Sequence, residues 1–181
     1  MEKKILIFLL KFLKAFLIMI LILVGLVYFL FFHGSYRDLD EDKLALILGL
    51  SKATLLSSDY SREYFTVHDY YAIEVHQLSR ETINDFVAHS SFELYPEMCG
   101  CRKENWQQSP IDTVKWGNVM EMAFVFWDSH PKRNEWISEM QSLITSSSGY
   151  YAFCIFEHSI ILYVLDVESG KLYIMYTNNF F

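Results

Sequence analysis

The sequence predicts an α+β protein: an N-terminal single transmembrane helix followed by one extramembrane domain with a mostly antiparallel sheet and packed helices. Three observations predict it. Residues 15–32 hold no charge, no proline and one glycine, an eighteen-residue run long enough to cross the hydrocarbon core of a bilayer as a helix. Residues 136–144 place Trp136, Ile137, Met140, Leu143 and Ile144 at helical spacing. Residues 150–177 read as three apolar strands, the last two joined through Glu168, Ser169, Gly170 and Lys171, with Gly170 free to take the positive φ of a tight turn.

The apolar run fixes the expected location. Lys3, Lys4, Lys11 and Lys14 precede it, whereas Asp38, Asp40, Glu41 and Asp42 outnumber Arg37 and Lys43 just after it. This bias predicts a cytoplasmic N-terminus and an extracytoplasmic C-terminal domain, periplasmic in a Gram-negative cell. Cleavage of a secretory signal needs small residues before the cut. Tyr28, Phe29, Leu30, Phe31, Phe32 and His33 are bulky, so the segment reads as an uncleaved signal-anchor.

Lys4, Lys11 and Lys14 fall on one helical face and can snorkel toward anionic headgroups. A helix over residues 5–32 would be about 42 Å long, and tilt would absorb its excess over the bilayer core. Membrane contact is thus expected through residues 5–32. Gly25 has Leu21 and Phe29 at its four-residue neighbours, so the chain lacks a transmembrane dimer motif of the GxxxG type.

The expected boundaries are 1–33 for the basic tip and anchor, and 34–181 for one extracytoplasmic domain of ordinary size. That domain carries eleven bases against twenty-one acids, a net charge of −10. Its average field disfavours nucleic acid and favours a basic protein partner. Cys99, Cys101 and Cys154 are the cysteines, and outside the cytoplasm they predict one disulfide and one thiol left over. A ring closed between Cys99 and Cys101 would be strained, so a bridge from either one to Cys154 is the expected link.

Along the domain, Asp40 or Asp42 can cap a helix running from Leu44 toward Leu55 and Leu56. Alternation from Tyr64 to Gln77 predicts a strand, or two strands joined near Asp69. Ser79 caps a helix that puts Ile83, Phe86 and Val87 on one side. Residues 90–117, with Pro96, Pro110, Cys99, Cys101, Trp106 and Trp116, show no sustained period and read as an irregular loop. Residues 118–127 fit helix or strand, with helix preferred. Asn134 then caps the amphipathic helix, which Ser146, Ser147, Ser148 and Gly149 end. The run Ile160 to Leu165 implies a strand covered on both faces.

No G-x-S-x-G elbow, P-loop, G-x-G-x-x-G or H-E-x-x-H is present, so no catalytic, cofactor-binding or metal-binding residue is assigned and no cofactor is expected. His68 and His76 would lie about 26 Å apart on a continuous strand, too far to share one metal. The loop residues Tyr95, Glu97, Glu104, Trp106, Asp112 and Trp116 are the candidate partner-binding set, because aromatic anchors and charges of one sign recur at interfaces.

The expected function is a membrane-anchored protein-binding module of the cell envelope, such as an immunity or inhibitor protein that neutralises a toxin. The alternatives are an accessory subunit of a membrane protein assembly and a membrane-tethered enzyme without a recognisable motif. The first needs no catalytic machinery, and the tether raises its effective concentration at the membrane.

Overall fold

The computed structural model describes residues 13–14, 16–25, 39–64, 70–88, 101–124, 131–156 and 159–178. The chain divides into two units, Met1–Leu39 and Asp40–Phe181. Its described residues are α+β, with a six-stranded antiparallel sheet and five helices.

In the first unit, helix α1 is described at residues 13–14 and 16–25, all of them exposed. Its large apolar side chains from Phe16 to Val24 are 43% to 65% accessible around the whole circumference. Among the described residues no helix is long and apolar enough to cross a membrane. Residues 5–12, 15 and 26–32, which belong to the expected membrane segment, lie outside them.

The second unit opens with α2 (Glu41–Leu48). Asp40 caps it, its Oδ1 accepting from the Lys43 N–H at 2.8 Å, while Glu41 and Asp42 complement the helix dipole in the first turn. The helix stops at Gly49, whose φ of 68° is left-handed. The Leu50 N–H donates to the Ala45 carbonyl at 2.8 Å and the Gly49 N–H to the Leu46 carbonyl at 3.1 Å, the two bonds of a Schellman ending. Leu55 and Leu56 therefore do not extend this helix as expected; they begin β1 (Leu55–Tyr64). β1 pairs antiparallel with β2 (Tyr70–Leu78), from Leu55 opposite Leu78 to Tyr64 opposite Tyr70.

Helix α3 (Arg80–Ala88) follows, capped by Ser79, whose Oγ accepts from the Thr82 N–H at 3.2 Å. The stretch expected as loop over residues 90–117 contains regular structure. It includes β3 (Arg102–Gln108) and the start of α4 (Thr113–Ala123). Helical structure thus holds the described part of residues 118–127 through Ala123. Helix α5 (Pro131–Thr145) begins three residues before the expected Asn134 cap, with proline at a first-turn position where its missing N–H costs nothing. β4 (Gly149–Ile155), β5 (Ser159–Asp166) and β6 (Lys171–Asn178) complete the chain as the apolar pattern predicts.

The strand order is β1-β2-β6-β5-β4-β3. Alternate residues define two covered faces. On one, Tyr71, Ile73, Phe153, Leu162, Val164, Tyr173 and Met175 pack with Trp116, Trp136, Ile137, Met140 and Ile144 of α4 and α5. On the other, Phe86 of α3 meets the rings of Trp106 and Tyr150, each at 5.3 Å between centroids. The Trp106 Nε1–H donates to the Ile47 carbonyl at 2.8 Å and so ties α2 to that side. β5 is consequently buried at every position from Ile160 to Leu165, each such aliphatic side chain being worth about 1.5–3 kcal/mol of transfer free energy.

Candidate functional site

A groove of about 530 Å³ opens between α5 and the β5–β6 turn. Glu135, Ser138, Glu139 and Ser142 line it from α5. Their spacing of three, four and seven puts them on the helix face opposite the buried Trp136, Ile137, Met140 and Ile144. Asp166, Ser169, Lys171 and Tyr173 form the other wall.

That wall is held by its turn. Asp166 accepts from the Glu168 N–H at 2.9 Å and from the Ser169 hydroxyl at 2.6 Å. Gly170, at φ 73°, supplies the left-handed residue, and its carbonyl accepts from the Leu78 N–H at 2.8 Å. Across the groove, the Tyr173 hydroxyl donates to Glu139 Oε2. Lys171 Nζ stands 3.4 Å from both oxygens of the same carboxylate. Burial, and then the bond to Glu139, raises the Tyr173 pKa, so the phenol stays protonated far into the alkaline range.

Three carboxylates thus face a single ammonium that Glu139 already engages. Serine hydroxyls at 138, 142 and 169 add acceptors. The chemistry suits a cationic head group such as a lysine ammonium or an arginine guanidinium, held by charge-assisted hydrogen bonds.

The residues expected at a partner-binding loop are divided by the fold. Trp106 is 3% exposed and Trp116 5%, so both are core residues on opposite faces of the sheet rather than surface anchors. The cause is the bulge between Glu104 and Gln107 in the β3–β4 pairing, which turns the Trp106 ring toward Phe86 and Tyr163. Glu104, Asp112 and Trp116 do come together around Lys115. Its Nζ lies 3.8 Å from Glu104 Oε1 and 4.4 Å from the Trp116 ring centre, and Asp112 caps α4 through the Val114 and Lys115 N–H groups. Tyr95 and Glu97 lie outside the described residues.

The structure also assembles groups that no motif announced. Ser58 and His76 face each other in register across β1 and β2, with Ser58 Oγ 2.8 Å from His76 Nδ1 and Glu74 Oε2 3.0 Å from Nε2. With Nε2 protonated, the ring accepts from Ser58 and donates to Glu74. His76 is 3% exposed, and the chain satisfies both nitrogens of a buried imidazole. His68 lies outside the described residues, among which no group of three or more His, Cys, Asp or Glu side chains is placed to hold a metal ion.

Cys154 is buried and Cys101 half-buried, both as free thiols. Burial, and after it the neighbouring Cys101 side chain, pushes the Cys154 pKa up to about 12. Cys99 lies outside the described residues.

Comparison with known protein families, curated proteins and solved structures finds no match.

Proposed function

We propose that the chain is a single-pass, membrane-anchored protein-binding module of the cell envelope. Its acidic groove receives a lysine or arginine of a basic protein partner, as an immunity or inhibitor protein receives a toxin. The observation that carries this reading is the groove itself: three carboxylates converge on a cavity of about 530 Å³ with one lysine among them. The anchor rests on the eighteen-residue apolar run of the sequence. It is supported by the exposure of every described α1 side chain, a surface suited to lipid.

A photo-crosslinking residue at Ser138, beside the groove, is the test, with one at Val114, which is 97% exposed on α4, as the reference position. In intact membranes the first should give a specific adduct with a basic protein, lost in high salt and in the Glu135→Lys variant. Equal adducts at both positions would overturn the reading. Protease added to intact spheroplasts should remove a C-terminal tag if the domain is extracytoplasmic.

A second reading, a membrane-tethered acyl-transfer enzyme, draws on the Ser58–His76–Glu74 chain. This is the hydrogen-bond order of a nucleophile, a base and an orienting acid, although serine meets Nδ1 rather than Nε2. The burial of His76 favours a structural role for it. A fluorophosphonate probe decides: labelling of Ser58 that disappears in His76→Asn supports the enzyme, and an unlabelled protein excludes it from this serine.

A further inference from the structure

We propose that Cys101 and Cys154 are the pair that closes into the disulfide of this domain, with Cys99 left as the third thiol. The sheet register places them together. Lys103 is opposite Cys154, and Arg102 opposite Ile155. Cys101 precedes Arg102 and so falls on the side of β3 that Lys103 and Cys154 share, diagonal to Cys154. The Cys101 side chain is, after burial, the largest influence on the Cys154 thiol, which accords with that placement.

Exposure and acidity separate their roles. Cys101 is half-buried and can meet an oxidant, whereas Cys154 is buried and holds its proton tightly. In the first step the Cys101 thiolate attacks one sulfur of an oxidant disulfide, either a dithiol oxidase or oxidised glutathione, and expels one of its thiolates. In the second, Cys154 gives its proton to solvent and attacks the Cys101 sulfur, expelling the other thiolate. One S–S bond has formed and one has broken. The pair has lost two electrons and two protons, and the oxidant has gained both.

The bond has a mechanical purpose. Among the described residues β3 is an edge strand paired only with β4, and that pairing is interrupted between Glu104 and Gln107. A link at its start fastens β3 to the buried β4 and closes a loop that includes α4 and α5. Such a loop should raise the melting temperature by roughly 10 °C relative to the reduced form. The pairing rests on the sheet register, with the start of β3 drawing in from a diagonal spacing of about 7–8 Å to disulfide range, and only its completion inside the cell rests on the envelope location proposed above.

The test uses the full-length chain in detergent. Thiols are blocked with a maleimide before and after reduction, the disulfide-linked peptides are identified by mass spectrometry, and a parallel sample is first exposed to oxidised glutathione. The expected result is a Cys101–Cys154 peptide, with Cys99 modified before reduction, and retention of the link in Cys99→Ser but not in Cys101→Ser. A Cys99–Cys101 or Cys99–Cys154 peptide as the main product would overturn the proposal. So would failure of the folded protein to close under oxidised glutathione. Closure in the tube combined with free thiols in cells upholds the pair and removes the envelope location.

Discussion

The Tyr173 hydroxyl of β6 donates to the Glu139 carboxylate of α5, and this bond joins the central sheet to the helix that walls the groove. Lys171 reaches the same carboxylate from one side. Glu139 is therefore a braced element of the groove, whereas Glu135, one turn earlier and exposed, is available to a ligand. Tyr173→Phe should lower stability by about 1.5–3 kcal/mol, the typical net worth of a hydrogen bond to a charged group. Chemical denaturation at neutral pH measures it.

Charge reversal at Glu135 acts on association rather than folding. Glu135→Lys changes the groove by two units of charge, and at physiological salt it should weaken capture of a basic partner by about tenfold. In 0.5 M salt, where the screening length is short, the difference should shrink. The melting temperature should stay within about 1 °C, as for an exposed substitution.

Alkali should destabilise the reduced domain through Cys154. Its ordinary pKa of 9.0 is pushed to about 12 in the folded protein, chiefly by burial. Between these values the unfolded chain loses a proton that the folded chain keeps, so stability is full below pH 9 and falls as pH rises toward 12. Tyr163 and Tyr173 are raised by burial too and add to the decline above pH 10. Cys154→Ala should flatten the slope between pH 9 and 10, read by denaturant titrations at each pH.

Trp106 should behave as a core residue. Trp106→Ala removes its ring contacts with Phe86 and Tyr163 and its bond to the Ile47 carbonyl, at a cost of about 3–5 kcal/mol. Trp106→Phe keeps an aromatic ring but leaves the carbonyl without that donor, at about 1–2 kcal/mol. Thermal unfolding of the two variants ranks them.

Gly170 is required by the groove's turn. At φ 73°, an added Cβ would stand 3.0 Å from Gln77 Nε2 and 3.3 Å from the Leu78 carbonyl. Gly170→Ala should cost about 1–2 kcal/mol and, by displacing Ser169 and Lys171, weaken partner capture as well. Paired stability and crosslinking measurements check both effects.

Legibility in the sequence followed the density of buried apolar residues. β5, with every position from Ile160 to Leu165 buried, and α5, with Trp136, Ile137, Met140 and Ile144 inward, announce themselves. β1 does not, because an edge strand of sequence LLSSDYSREY needs only one partner and no apolar alternation. β3 hides for a related reason: RKENWQQ buries one residue, Trp106, beside a bulge. The groove was not read from the sequence. Glu135, Ser138, Glu139 and Ser142 repeat at helical spacing, but the opposite wall of Asp166, Lys171 and Tyr173 emerges only when the last hairpin folds back. The pairing of Ser58 with His76 depends on strand register, which no local pattern carried.

The strand order has a consequence for biogenesis. β6 is the last of the described strands to be synthesised, yet it sits third in the sheet and bonds both β2 and β5. Until it emerges, the β1–β2 hairpin has no bridge to β5, β4 and β3. A polypeptide released before residue 171 would hold two unjoined pieces with bare inner edges, a substrate for quality-control proteases. The same order delays closure: the sheet cannot knit until residues 171–178 have left the ribosome, and it locks when that hairpin folds back.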